Sequence, residues 1–131
     1  MLRSNVSAAS LAALLTATLV LTPAAEARTL RGTPAADKLV GTKNRDKIVA
    51  RGGNDTARGG KGSDLVVGGR GDDRVKGGGG FDELRAGSGR DVVHARGGGR
   101  DLIDCGRGRD RVYVGRIEDG IFDCERVVEP S

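Results

Sequence analysis

The sequence predicts an all-β fold, a parallel solenoid of two sheets built from about ten half-turns of nine residues each. Three observations predict it: aspartates recur every nine residues, an aliphatic residue follows each aspartate by two places, and glycines crowd the stretch ahead of it. The chain has 131 residues but no Trp, one Tyr and two Phe. That aromatic content is too low for a conventional core of this size, so a regular stack has to replace one.

The aspartates keep one phase through most of the chain. They stand nine residues apart until one extra residue precedes Asp101, after which the interval of nine resumes. The series is Asp37, Asp46, Asp55, Asp64, Asp73, Asp82, Asp91, Asp101, Asp110 and Asp119. A fixed period of this kind indicates a repeat architecture in which each unit stacks on its neighbours.

The aliphatic residues predict short strands with one inward side chain each. Most of them are β-branched, a residue type that favours strands over helices. A turn and a strand within nine residues must reverse direction to stay compact, so two units make one coil and successive coils stack about 4.8 Å apart. The predicted inward rows are Leu39, Ala57, Val75, Val93 and Val112 in one sheet and Ile48, Val66, Leu84, Ile103 and Ile121 in the other.

The glycines ahead of the aspartates predict turns of unusual backbone conformation. The stretches GGKGSD (59–64), GGRGDD (68–73) and GGGGFD (77–82) have glycine at the first, second and fourth places. Glycine adopts positive φ angles that residues with a Cβ adopt only at an energetic cost. We therefore expect six-residue turns whose carbonyl groups face a common centre.

Stacked turns bring aspartates of successive coils together, and their mutual repulsion predicts a cation between them. Carboxylate and carbonyl oxygens suit Ca²⁺ better than Zn²⁺ or Cu²⁺, which favour His or Cys ligands. Mg²⁺ is disfavoured because it gives up its water ligands reluctantly. The sequence therefore predicts calcium sites along both edges of the solenoid.

The nonapeptide resembles the RTX, or hemolysin-type, calcium-binding repeat G-G-x-G-x-D-x-U-x. The resemblance covers about residues 32–121 and implies a parallel β-roll that binds several Ca²⁺ ions between neighbouring turns. The implied metal ligands are Asp55, Asp64, Asp73, Asp82, Asp91, Asp101 and Asp110, with Asp46 as a weaker one. The extra residue before Asp101 would have to be absorbed as a bulge, which puts the pairs across it in question.

The first two units depart from the family pattern. In GTPAAD (32–37) and GTKNRD (41–46), Ala35 and Asn44 replace the fourth glycine. Asn tolerates a left-handed conformation and Ala does not, so we expect Asp46 to bind weakly and Asp37 to close the end of the roll. Arg and Lys also crowd the turns, and a metal-free roll whose carboxylates pair loosely with these cations is the alternative.

The two termini predict export and a cap. Residues 1–27 have a basic start, an apolar stretch at 11–21 and a small-residue cleavage signal, the pattern of a secretory signal peptide. The apolar stretch is shorter than the roughly 20 residues of a membrane span, so we expect a secreted mature chain that does not span a membrane. Residues 28–31 are predicted to be a frayed lead-in, 28–121 the repeats and 122–131 a C-terminal cap.

The cysteines Cys105 and Cys124 form an even pair in a chain with an export signal, which predicts a disulfide that links the cap to the last repeats. A site with two thiolate ligands is the alternative, but His94, the only histidine, is not at ligand spacing from either cysteine.

The remaining motifs do not indicate an enzyme or a nucleic-acid binder. The serines lack the strand–turn–helix context of a nucleophile, and the RGG triplets fall in phase with the repeat without aromatic residues to stack on bases. We therefore expect a secreted calcium-binding protein that folds on binding and has a structural or adhesive role. The alternative is a module for anionic polysaccharide or another polymer of the cell envelope, favoured by the net charge of +4, with calcium only as a stabiliser. The oligomeric state stays open.

Overall fold

The computed structural model describes residues 26–115 and 119–129, which form a parallel β-solenoid of strands joined by tight turns. Of the predicted signal peptide, residues 1–25 lie outside the described residues. Across the described ranges, no helix has the length and apolarity needed to cross a bilayer. The predicted all-β fold with two parallel sheets is confirmed.

Apart from the two-residue strand β10, consecutive strands alternate between two sheets, and every strand pair is parallel. Sheet I contains β1 (Thr29–Arg31), β3 (Lys47–Gly52), β5 (Leu65–Arg70), β7 (Glu83–Gly89), β9 (Leu102–Asp104) and β12 (Gly120–Phe122), and β10 (Arg107–Gly108) pairs with the end of β7. Sheet II contains β2 (Lys38–Val40), β4 (Thr56–Gly60), β6 (Arg74–Gly78), β8 (Val92–Ala95), β11 (Arg111–Val114) and β13 (Arg126–Val128).

The strand register confirms both predicted inward rows. Val66 lies opposite Ile48 and Leu84 in sheet I, and Val75 lies opposite Ala57 and Val93 in sheet II. The register also continues across the extra residue, with Leu84 opposite Ile103 and Val93 opposite Val112. The turn at 96–100 between β8 and β9 holds that extra residue, so the predicted bulge lies outside the sheets.

A second inward position lies four residues after each aspartate. It is Gly59, Gly68 or Gly77 in the middle coils and Ala50, Ala86, Ala95, Cys105 or Val114 elsewhere, and all of these are buried. The predicted six-residue turns are therefore too long, because β3, β5 and β7 continue through this position. The core is a layer of aliphatic residues beside a layer of small ones, and a Cβ atom at Gly59, Gly68 or Gly77 would overlap the carboxylate of the aspartate five residues later.

Both ends of the roll extend further than predicted. The lead-in is not frayed, because Leu30 in β1 lies opposite Ile48. At the other end, Val127 in β13 lies opposite Val112, so part of the predicted cap is a further rung of sheet II. The tail is also joined to the core by a disulfide between Cys105, which is buried, and Cys124, with Cα atoms 5.0 Å apart.

Candidate metal-binding edges

The aspartates form two columns, one at the start of the strands of each sheet. Column I precedes the strands of sheet I and consists of Asp46, Asp64, Asp82, Asp101 and Asp119; column II precedes those of sheet II and consists of Asp37, Asp55, Asp73, Asp91 and Asp110. All except Asp37 are buried, with 0–9% of their surface exposed. Side chains of this type are almost never fully buried unless they have partners.

In every aspartate of the columns except Asp37, one carboxylate oxygen accepts a backbone hydrogen bond from the preceding stretch of chain. The backbone N–H of Asp64 donates to Oδ1 of Asp82 at 2.9 Å, and that of Asp73 donates to Oδ1 of Asp91 at 2.7 Å. The same bond spans the extra residue, since Asp82 N–H donates to Asp101 Oδ1 at 2.9 Å. The insertion therefore leaves the columns intact.

The other carboxylate oxygen has no hydrogen-bond partner in most of the aspartates. These buried Oδ2 atoms belong to Asp55, Asp64, Asp73, Asp82, Asp91, Asp101, Asp110 and Asp119. Burial, with a smaller contribution from neighbouring carboxylates, raises the pKa of Asp82 to about 6 and that of Asp101 to about 7, although a backbone hydrogen bond opposes the shift in each case. A buried carboxylate without a partner is strongly destabilising, so these oxygens require a proton or a cation.

The first two aspartates differ because a threonine caps each of them. Oδ2 of Asp46 accepts hydrogen bonds from the backbone N–H of Thr42 at 2.5 Å and from its hydroxyl at 2.8 Å. Asp37 and Thr33 make the same pair of bonds. Burial raises the pKa of Asp46, but the hydrogen bonds from Thr42 and Arg28 outweigh it, and the pKa falls below its ordinary value. Both carboxylates are therefore satisfied by the chain itself.

The threonines also change the shape of these turns. The Thr42 hydroxyl accepts a hydrogen bond from the backbone N–H of Asn44 at 3.1 Å, a local bond that Ser and Thr commonly make in turns. Asn44 does not have a positive φ, so the expectation that it would reproduce the left-handed glycine turn is wrong. The equivalent glycine of a later unit, Gly62, has a φ of 95°.

Carbonyl groups of the glycine turns point along the roll from one coil toward the next. A Cβ atom at Gly78 would overlap the carbonyl oxygen of Gly60, and one at Gly80 would overlap that of Gly62. Only glycine permits this approach, and both Gly78 and Gly80 have positive φ angles of 120° and 102°. The turns thus stack carbonyl oxygens beside the aspartate columns.

These donors fit a hard cation that takes oxygen ligands. In the described part of the chain, no three His, Cys, Asp or Glu side chains come together as a metal cluster. An ion between two coils would therefore need backbone carbonyls as well as carboxylates, and Ca²⁺, with six to eight oxygen ligands in flexible geometry, suits that mixture. The thiolate alternative is excluded in this structure because both cysteines are in the disulfide.

The structure adds two acidic residues that the sequence analysis left out of the ligand set. Asp119 continues column I, since the Asp101 N–H donates to its Oδ1 at 3.0 Å. Its spacing of nine residues from Asp110 was the signal in the sequence, although no glycine turn precedes it. Glu125 precedes β13 as an aspartate precedes the other strands, and after burial it is a further cause of the raised pKa of Asp110.

Comparison with known proteins agrees with this geometry. The family model of the RTX calcium-binding nonapeptide repeat (4 copies) matches residues 31–66 and 67–99, which is more than half of the chain. No curated protein and no solved structure matches the chain. From the family model and the shared fold, the chain belongs to the RTX calcium-binding repeat family.

Proposed function

We propose that this protein is a secreted calcium-dependent rod, folded by the ions that it binds and used as a structural or adhesive element. The family match supports calcium binding, and the export signal in the sequence supports secretion. The observation that carries the proposal is the set of eight buried Oδ2 atoms in the two aspartate columns that have no hydrogen-bond partner.

Coupling between folding and calcium follows from the thin core. The units from Asp46 to Asp110 bury two residues each, in most cases one large aliphatic residue and one small one. Against this modest apolar burial, each unit of the middle coils also buries a carboxylate, and burying an uncompensated charge is highly unfavourable. An ion that binds only the stacked coils stabilises the folded state by mass action, so we expect the calcium-free chain to be largely unfolded.

The proposed ligands are the aspartates whose Oδ2 atom is free. They comprise the seven expected from the repeat, Asp55, Asp64, Asp73, Asp82, Asp91, Asp101 and Asp110, together with Asp119. We propose that Asp46, expected to be a weaker ligand, and Asp37 do not bind ions, because threonine hydrogen bonds already occupy their second oxygen.

The metal-free alternative has less support. It expects turn cations that point into water and pair loosely with the carboxylates, and Lys61, Arg70, Arg90 and Arg109 are exposed. In the described part of the chain, none of these four makes an ion pair with a column carboxylate. Solvent screens their repulsion of a bound cation. Extracellular calcium sites work with dissociation constants of about 10⁻⁴–10⁻³ M, so moderate affinity would suffice.

Far-UV circular dichroism of the mature, oxidised chain tests this proposal. We expect Ca²⁺ to produce the β spectrum and a cooperative melting transition, and a chelator to remove both. Mg²⁺ at the same concentration serves as the control, and we expect a much smaller response to it. Identical spectra and melting temperatures in chelator and in saturating Ca²⁺ would contradict the proposal.

A further inference from the structure

The outer face of sheet II carries positive charge and no acidic side chain. The first and third residues of its six strands point outward, on the side opposite the core. Six of these residues are basic: Lys38, Arg58, Arg74, Lys76, Arg111 and Arg126. None of the others is Asp or Glu. We call these twelve positions the basic face.

The outer face of sheet I has a different composition, although both faces come from the same repeat. Its corresponding positions include two acidic residues, Glu83 and Asp104, and several aliphatic ones. Arg85 on that sheet forms an ion pair with Glu83. By contrast, the six cations of the basic face make no ion pair within the described residues. The charge of the basic face is therefore available to a partner.

The positive charges of several side chains act together on the middle strands of the basic face. His94 and Tyr113 stack with ring centroids 4.9 Å apart, and the guanidinium of Arg96 lies 5.5 Å from the centre of the Tyr113 ring. The pKa of His94 is lowered, first by burial and then by the positive charges of Lys76, Arg96 and Arg74. The face thus combines a positive potential with a stacked pair of rings on the adjacent strands β8 and β11.

We propose that the basic face binds an extended polysaccharide that bears carboxylate groups. The inference rests on the proposed function, because the calcium-loaded roll is what holds the strands in one plane. Neighbouring rungs lie about 4.8 Å apart, so six strands present cations over about 24 Å. Each exposed contact contributes little alone, whereas linked anionic groups on one chain bind together with a large gain in effective concentration. Four of the six cations are Arg, whose planar fork matches a carboxylate.

The face fits a sugar polymer better than a bilayer. Interfacial binding requires apolar side chains that enter the acyl region, or two anchoring signals. Of the large apolar residues that are exposed in the described ranges, only Val40 is on the basic face. The remaining exposed apolar residues are Phe81, Leu102, Phe122 and Val127, which lie in a turn, on sheet I or at the end of the roll.

The face also fits a sugar polymer better than a nucleic acid. Groove readout uses a protruding helix or ribbon, and this face is a flat sheet. Single-stranded nucleic acid binds through aromatic rings that stack on bases. Here His94 and Tyr113 stack on each other, which leaves less ring surface for bases.

A pair of matched double variants tests the inference. Arg58→Gln with Lys76→Gln removes two charges from the basic face, and Arg31→Gln with Arg85→Gln removes two charges from the same strand positions of sheet I. Binding of a short oligogalacturonate is measured by calorimetry at a free Ca²⁺ concentration fixed with a calcium electrode, because this probe itself binds calcium. Circular dichroism of each variant, with and without Ca²⁺, reports the proposed folding separately.

We expect the basic-face variant to bind the oligogalacturonate at least about tenfold more weakly and the sheet I variant to bind within about twofold of the parent. Binding should also weaken steeply with salt. Equal weakening in both variants, or none in the basic-face variant, would overturn the inference. So would tighter binding of single-stranded DNA or phosphatidylserine vesicles than of the oligogalacturonate. Loss of calcium-induced folding in the parent would instead refute the proposed function.

Discussion

The first coil and the middle coils of the roll differ in how they satisfy the carboxylates of their aspartates. Both regions bury aspartates at the start of their strands, and in each a backbone N–H from an adjacent stretch of chain donates to Oδ1: Arg28 N–H to Asp46 in the first coil, and Asp64 N–H to Asp82 in the middle coils. In the first coil, Thr33 and Thr42 satisfy the second oxygen as well. In the middle coils a glycine replaces the threonine, and the second oxygen has no partner.

The fold requires a partner for the second carboxylate oxygen of each buried aspartate. Threonine is that partner in the first coil, and an ion would be the partner in the middle coils. Burial raises the pKa of Asp46, but hydrogen bonds from Thr42 and from the Arg28 N–H outweigh it and lower that pKa. Without a threonine cap, burial raises the pKa of Asp73 to about 6 and that of Asp91 to about 7. The repeat phase and the strand register are the same in both regions. We therefore propose that the residue after the first position of the turn, threonine in the first coil and glycine in the middle coils, decides whether the second oxygen needs an ion.

The largest effect should be the pH dependence of the calcium-free chain. Burial raises the pKa values of Asp73, Asp82, Asp91 and Asp101 to about 6 to 7 in the folded state, against an ordinary value of 3.8 for an aspartate. Between these values the folded state binds more protons than the unfolded state, so stability falls as pH rises through this window. From about pH 4 to about pH 8, the loss of these protons should lower the free energy of unfolding by several kcal/mol in chelator. Melting temperatures that rise over that range would contradict this prediction.

The next effect should come from removing one charge in each region. Asp82→Asn removes a proposed ligand, and we expect the Ca²⁺ midpoint of folding to rise about tenfold or more, which corresponds to about 1.4 kcal/mol. Without calcium, the same variant should be stabler than the parent at neutral pH, because a neutral amide replaces a buried charge.

Asp46→Asn is the matched change in the first coil, and its effects should differ. It weakens bonds from Thr42 to a charged acceptor, so we expect a loss of about 1–2 kcal/mol and little change in the Ca²⁺ midpoint beyond that loss. Calcium titrations and urea unfolding of both variants measure these quantities. An equal rise of the Ca²⁺ midpoint in the two variants would remove the distinction between the regions.

Removal of the capping hydroxyl should have a similar or smaller effect. Thr42→Val keeps the shape of the side chain but deletes the donor to Asp46 and the acceptor for Asn44 N–H. We expect a loss of about 1–2 kcal/mol in urea unfolding at saturating Ca²⁺, with recovery of most of it in Thr42→Ser. Thr56→Val, on the outer side of β4, serves as the control and should change stability by less than about 0.5 kcal/mol. An unchanged free energy of unfolding in Thr42→Val would show that the threonine cap does not stabilise the first coil.

The smallest effect concerns the junction between the two regions. Arg51 has a φ of 87° at the place that Gly60, Gly69 and Gly78 fill in later coils. Arg51→Gly should relieve this conformation, and the greater freedom of glycine in the unfolded chain offsets part of the gain. We expect a stabilisation of less than about 1 kcal/mol, measured by urea unfolding in saturating Ca²⁺. A clear loss of stability would mean that the Arg51 side chain contributes more than its backbone strain costs.

Most of the fold could be predicted because one period determines the register. A shift of one residue would turn every inward aliphatic outward, so the nine-residue spacing specifies which residues pair, as the rows through Val66 and Val75 confirm. The end strands were missed because Leu30 and Val127 are preceded by no aspartate of the series. The second inward layer was missed because glycine at that position was interpreted only as a turn residue.

The candidate site was less predictable because hydrogen bonds distinguish its members. The aspartate phase identified the columns. In the first two units the missing fourth glycine was used as the signal, and the threonine after the first glycine was not considered. Thr42 reaches Asp46, four residues later, only in the folded turn. That contact depends on turn geometry, which the spacing of residues does not specify. The assignment of individual ligands stays a prediction.

Anomalous diffraction from crystals of the calcium-saturated protein would test the central claim most directly. We predict calcium peaks between successive coils beside the free Oδ2 atoms of the middle coils, such as those of Asp64 and Asp82, and none beside the threonine-capped Asp37 and Asp46. Peaks of equal height beside the capped aspartates, or no peaks at either column, would contradict the account.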